Sequence, residues 1–176
     1  LDLVRAIEAC FVPPDLVGTS VLITAGPTHE PIDPVRYLGN RSSGRMGFAL
    51  AAEAARRGAR VCLVAGPVTL ATPPGVERID VQTALEMDAA VRARAAQSDL
   101  IVMSAAVADF RPAAYEPRKI KRHEGTPALA LTENPDILAS LALLAPDAIR
   151  VGFAAETGVT EGEAERKLRA KSVHAL

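Results

Sequence analysis

The chain has 176 residues, 49% hydrophobic and 23% charged, with 12 Gly and 13 Pro, which fits one globular domain and excludes collagen-like, low-complexity and disordered classes. A formal net charge of −1 gives no overall field to recruit a polyanion, so a phosphate ligand must be held by local basic groups. Aromatics at 3% and the absence of Trp argue against single-strand nucleic-acid binding by stacking, and no apolar run approaches the roughly 20 residues of a membrane helix.

In chain order, residues 1–10 form a short amphipathic stretch, and residues 11–18, with Pro13, Pro14 and Gly18, read as a linker. Residues 1–18 are expected to lead in from a preceding domain, and 19–176 to form the main domain, shortened at its carboxyl end. Residues 21–25 (VLITA), bounded by Gly26 and Pro27, predict a strand buried on both faces, and similar runs recur at 60–65, 100–106 and 149–154. Between them, helices are predicted over 45–57, closed by Gly58 as a left-handed cap, and over 83–97, opened by Thr83 and Glu86 as a capping box. Asn134 before Pro135, and Thr160 with Glu163, signal two more helix starts. The alternation predicts an α/β fold, a Rossmann-like parallel sheet with helices on both faces, whose ligands bind outside the carboxyl ends of the strands. Only residues 110–131 break it. A connection that long is functional, as a lid or flap, or disordered.

Four constellations lie at or near those strand ends. The loop after the first strand brings Asn40, Ser42, Ser43, Gly44 and Gly47 to a helix start, where free N–H groups and the helix dipole favour an anion; an ordinary capping loop with Ser43 as cap is the plainer alternative. Ala105 and Ala106 follow the third predicted strand and let a ligand ring approach the backbone, while Asp109 can accept from a ribose hydroxyl or an exocyclic amine, or merely satisfy a turn. The run Arg118-Lys119-Ile120-Lys121-Arg122 either closes over a polyphosphate or is a solvated face. Lys167 and Lys171, at i,i+4 on the last predicted helix, share one face that an anion could bridge. The histidines, His29, His123 and His174, are scattered, the two cysteines form no spaced framework, and no P-loop is present, so the pattern points to positioning and electrostatics on phosphates.

The wording of the loops adds a resemblance. ITAGPT at 23–28, EPIDPVRY at 30–37, NRSSGRMG at 40–47, AAVAD at 105–109, KIKR at 119–122, NPD at 134–136 and GFAAET at 152–157 together resemble bacterial phosphopantothenoylcysteine synthetases. These are the carboxyl-terminal halves of bifunctional coenzyme A biosynthesis proteins that also carry a flavin-dependent decarboxylase. The resemblance runs from about Val21 to Lys171. It implies a cytoplasmic, dimeric ligase that uses CTP with magnesium to join 4'-phosphopantothenate and L-cysteine through an acyl cytidylate, FMN being confined to the fused decarboxylase. Carried over by motif, Asn40 would hold the acyl cytidylate and Lys119 would act on the triphosphate in the first step. Ser42, Ser43, Ala105, Ala106, Asp109, Lys119, Lys167 and Lys171 would contact the nucleotide or its phosphates. Pro135, Asp136, Ile137 and Leu138 would line the cytosine pocket, with Phe153 beside the nucleotide. Metal ligands are not indicated. Two other readings are a nicotinamide-dependent reductase, for which Gly66-Pro67 stands where an acidic residue belongs, and a non-catalytic nucleotide sensor.

Overall fold

The computed structural model describes residues 14–153 and 173–175, with Leu3, Ile7 and Arg166. Its centre is a five-stranded, wholly parallel sheet in the order β5-β4-β1-β6-β9, built from β1 (Ser20–Ala25), β4 (Arg60–Ala65), β5 (Val76–Asp80), β6 (Leu100–Met103) and β9 (Ile149–Gly152). Two antiparallel ribbons adjoin one another beside it: β2 (His29–Pro31) with β3 (Tyr37–Gly39), and β7 (Phe110–Pro112) with β8 (Leu131–Glu133). The helices are α1 (Arg45–Arg56), α2 (Ala84–Ala95) and α3 (Ile137–Leu144).

The period of two along β1 splits the core into two layers. Val21, Ile23 and Ala25 face α1 and pack with Phe48, Ala51 and Ala54, whereas Leu22 faces α2 and α3 and packs with Met87, Val91 and Leu141. The first layer is rich in alanine, and α1 lies close: a Cβ on Gly47 would stand 2.5 Å from the Ala25 side chain and 2.6 Å from Ser104 Oγ. On the other side of β1, Gly66 meets the backbone of Pro27 even more closely, its absent Cβ falling 1.7 Å from the Pro27 carbonyl oxygen. Glycine is required there by space alone.

The capping box of Thr83 and Glu86 forms as expected, and α1 ends before Gly58, whose φ of 91° suits glycine. Several expectations are corrected. Gly44, not Ser43, is the N-cap of α1, at φ 72° and with no side-chain cap, because the chain must turn left-handed to pass within contact of Gly26. Asp136, not Asn134, caps α3, accepting from Ala139 N at 3.0 Å, since the Asn134 side chain is engaged elsewhere. The strand expected over 100–106 ends at Met103, and that over 149–154 ends at Gly152. β5 was not foreseen: VERID has only two apolar residues, Val76 and Ile79, because it lies half-covered at the sheet edge. Residues 110–131 are not wholly irregular, as their ends form β7 and the start of β8. Residues 14–18 dock on the end of α1 through Leu16 N to Arg57 O at 2.9 Å and the Asp15–Arg57 ion pair at 2.6 Å. The amphipathic stretch at 1–10 and the helix anticipated from Thr160 onward lie outside the described residues, apart from Leu3, Ile7 and Arg166.

The glycines make a direct test. Gly66→Ala must displace backbone and is expected to cost about 3 kcal/mol or more, the upper end for overpacking. Gly75→Ala, at φ 75° in open space, meets only left-handed strain of about 1–2 kcal/mol. Urea midpoints at unchanged m-value rank the two.

Candidate functional site

In this strand order the connection from β1 departs to one side of the sheet and that from β6 to the other, so their carboxyl ends flank a crevice at the topological switch point. The gap is laced by hydrogen bonds from β1 and the loop following it to the loop after β6. Ala106 N donates to Gly26 O at 2.8 Å, Ala105 N to Thr24 Oγ1 at 3.2 Å and Ala108 N to Thr28 Oγ1 at 3.0 Å; Ser104 Oγ donates to Thr24 O at 2.6 Å. Thr24 and Thr28 are wholly buried, so their hydroxyls are spent on the backbone of the second loop. That loop is thereby fixed with Ala105 and Ala106 half-buried and Asp109 exposed.

Asn40 approaches from the β3 side. Its Nδ2 donates to Val107 O at 2.9 Å, two residues before Asp109, so the motif before α1 and the motif after β6 meet at one rim. Ser42 Oγ accepts from Gly44 N at 3.3 Å, and Ser43 stands exposed next to the start of α1. Beyond Asp109, Asn134 ties in the segment leading to α3: its Nδ2 donates to Ala108 O at 2.8 Å, its N–H to Asp109 O at 2.8 Å, and its Oδ1 accepts from Arg111 at 3.0 Å. Pro135 is half-buried and Asp136 exposed, whereas the Ile137 and Leu138 side chains are buried in the core beside α2. Phe153 is half-exposed at the end of β9. Lys167 and Lys171 lie outside the described residues.

The basic loop is held at its middle. Asp33, 3% exposed, accepts from Val35 N at 2.8 Å and Arg36 N at 2.9 Å through Oδ1, and from the Arg36 guanidinium at 2.9 Å and Ile120 N at 3.2 Å through Oδ2. Arg36 in turn donates to Ile120 O at 3.0 Å, and Glu116 N to Ile32 O at 2.9 Å. Burial pushes the Asp33 carboxyl up, but the N–H groups of Val35, Ile120 and Arg36 and the Arg36 charge outweigh it and hold the group below its ordinary value of 3.8. A depressed carboxylate contributes its full stability above the unfolded value and loses it only as pH falls through the lower folded one, so this clamp is intact at neutral pH. Lys119 and Lys121 are exposed on either side of the half-buried Ile120.

Composition and periodicity did not single out Thr24, Thr28, Glu30 or Asp33 as site-building residues. Glu30 is 1% exposed and accepts from Ala84 N at 2.9 Å, joining β2 to the start of α2. The available signal was the presence of carboxylates and threonines in a loop rich in Pro and Gly. Among the described residues no three His, Cys, Asp or Glu side chains converge as a metal cage. A cavity of about 400 Å³ lined by Ser20, Arg60, Cys62, Glu77 and Arg94 opens at the amino-terminal end of the sheet, away from all these candidates, and burial pushes the Cys62 thiol up. No helix among the described residues is long and apolar enough to cross a membrane.

Residues 16–176 match the family of DNA/pantothenate metabolism flavoprotein C-terminal domains. The coenzyme A biosynthesis bifunctional protein CoaBC of Vibrio cholerae is 51% identical over 176 residues, which cover 98% of this chain and 44% of that protein. The CoaBC protein of Escherichia coli K12 is 54% identical over 157 residues, covering 87% and 39% respectively. The chain thus spans less than half the length of these relatives. Among solved structures, the C-terminal domain of a CoaBC protein matches with a TM-score of 0.82 at 39% identity, covering 92% of this chain and 79% of that one. A Cab2 mutant in complex with phosphopantothenate-cysteine shares the fold, with a TM-score of 0.74 at 19% identity over 98% of this chain and 73% of its own.

Thr28→Val keeps the shape of a wholly buried side chain but leaves the Ala108 N–H without its acceptor, at an expected cost of about 1–3 kcal/mol. Chemical denaturation checks the stability loss, and faster amide exchange confined to residues 104–109 checks its location.

Proposed function

The chain belongs to the family of DNA/pantothenate metabolism flavoprotein C-terminal domains, and we propose that it is a CTP-dependent phosphopantothenate–cysteine ligase of coenzyme A biosynthesis. In this reading the carboxylate of 4'-phosphopantothenate attacks the α-phosphate of CTP, forming an acyl cytidylate as pyrophosphate leaves. The amine of cysteine then attacks the acyl carbon, the new C–N bond forms, CMP departs with the electrons of the broken C–O bond, and the amine loses its proton to solvent. A carboxylate becomes an effective acyl donor only once its oxygen belongs to such a leaving group.

The observation that carries the reading is the Asn40–Val107 hydrogen bond, which brings the two motifs of the crevice to one rim in a chain about half identical to CoaBC proteins. Tethered through one amide hydrogen, the Asn40 carboxamide is oriented with Oδ1 and its second hydrogen left for the acyl cytidylate. Lys119 places an ammonium on the triphosphate, where charge grows on the departing pyrophosphate. Asp109 accepts from the nucleoside, and Ala105 and Ala106 offer it a flat, fixed backbone. Ser42 and Ser43, with the start of α1, take a phosphate. Pro135 and Asp136 face the base, and Ile137 and Leu138, whose side chains are spent on the core, contribute main chain only. Phe153 closes the pocket at β9, and Lys167 and Lys171 complete the phosphate contacts.

Magnesium, in this reading, would enter as part of a metal–triphosphate substrate, held by phosphate oxygens and water. FMN belongs, in this reading, to the decarboxylase half of the bifunctional relatives. A cytoplasmic homodimer completes the proposal.

With phosphopantothenate, cysteine, CTP and magnesium, the protein is expected to release pyrophosphate and CMP in equal amounts; absence of turnover with every nucleoside triphosphate overturns the reading. Lys119→Gln should slow pyrophosphate release by roughly 100-fold or more, the scale for losing one preorganised electrostatic contact. Asn40→Asp should leave pyrophosphate release in place while acyl cytidylate accumulates, detectable by mass spectrometry.

A further inference from the structure

We propose that Asp33 is a positioning residue for the first half-reaction: its Oδ2 grips the main chain of Ile120 and so fixes where Lys119 meets the nucleotide's phosphates. The proposal rests on the ligase reading above and adds to it a residue that touches neither substrate.

The two oxygens of Asp33 do separate work. Oδ1 accepts from Val35 N and Arg36 N, which closes the turn between β2 and β3 and needs nothing from the rest of the molecule. Oδ2 is directed to Ile120 N, 87 residues away in sequence, and to the Arg36 guanidinium at 2.9 Å. Arg36 returns a second hydrogen bond to Ile120 O at 3.0 Å. One ion pair therefore satisfies both main-chain polar groups of a single residue in an otherwise long loop, as a neighbouring strand would. The side chains on either side, Lys119 and Lys121, stay exposed. A lysine stem carries several freely rotating bonds, so an ammonium is preorganised only as far as its Cα is held, and here the hold is one residue away. Because the carboxyl is kept below its ordinary pKa, the grip is an ionised one at working pH.

Asp33→Asn separates the two roles. Its Oδ1 still closes the turn, while Nδ2 presents hydrogens to the Ile120 N–H and to Arg36, both of them donors. With the full protein, pyrophosphate release from CTP and phosphopantothenate is expected to fall by about 10- to 100-fold, the scale for a misplaced catalytic group. The second half-reaction, cysteine with preformed acyl cytidylate giving CMP, should stay within about twofold, and Asp33→Asn in the Lys119→Gln background should slow pyrophosphate release by no more than about twofold further. Ile120→Pro, which deletes the donor from an exposed loop and leaves the β2–β3 turn untouched, should reproduce the half-reaction split. Amide exchange across residues 116–122 should quicken by about 10-fold or more in Asp33→Asn with β1 and β6 unchanged. Equal losses in both half-reactions, full additivity with Lys119→Gln, or unchanged exchange in 116–122 would each overturn the proposal. If the unmodified protein activates no carboxylate with any nucleotide, the ligase reading fails by itself, and the exchange measurement still decides whether Asp33 holds the loop.

Discussion

A parallel sheet delivers its strand ends side by side but gives their outgoing loops no partner, and in this molecule two buried threonine hydroxyls meet that need. Thr24 and Thr28 lie at the end of β1 and in the turn after it, and each accepts a backbone N–H from the loop after β6. Because β1 is the central strand, these bonds tie the middle of the sheet to the segment that leads to Asp109. The close contacts nearby serve the same end. Gly47 and Gly66 let α1 and the loop after β4 approach to distances no side chain allows, which brings main chain to the crevice floor. Main chain of this kind is dense in fixed dipoles, which suits the phosphate chemistry proposed for the site.

Around that floor, each peripheral group is secured to another loop rather than to its own. Asn40 is held by the carbonyl of Val107, Asn134 by the carbonyl of Ala108, and Ile120 by Asp33 and Arg36. The β2–β3 ribbon is in turn fastened to α2 through Glu30 on Ala84 N and through His29 N on Gln82 O. The candidate site is thus assembled from four segments distant in sequence. Its geometry depends on polar bonds between segments, and at the buried ones, Glu30 with Ala84 and Thr28 with Ala108, removal of one member leaves the other unsatisfied.

Much of the frame was legible in the sequence. Buried strands announce themselves as short apolar runs, and the Thr83–Glu86 box marked α2 because both halves of its signal are local. The failures are equally physical. VERID carries two apolar residues at no strand period, so hydropathy does not tell this edge strand from a polar loop. Asn134 before Pro135 has the form of a helix start, but tertiary bonds to Ala108, Asp109 and Arg111 claim the residue, and capping passes to Asp136. The motif residues Asn40, Ala105, Ala106 and Asp109 could be placed at strand ends from the alternation alone. Their fastening could not, because Thr28, Glu30 and Asp33 act through partners between 54 and 87 positions away, and no local pattern encodes such a pairing.

The hold on the basic loop is made to the peptide group of Ile120 and not to any side chain of the loop. It is therefore blind to the identity of the residues it carries, save that proline cannot supply the N–H. The side chains of the two flanking lysines take no part in that hold. The path of the chain at this rim is thus set apart from the charge it carries, so a substitution at position 119 reads out chemistry with the loop still in place.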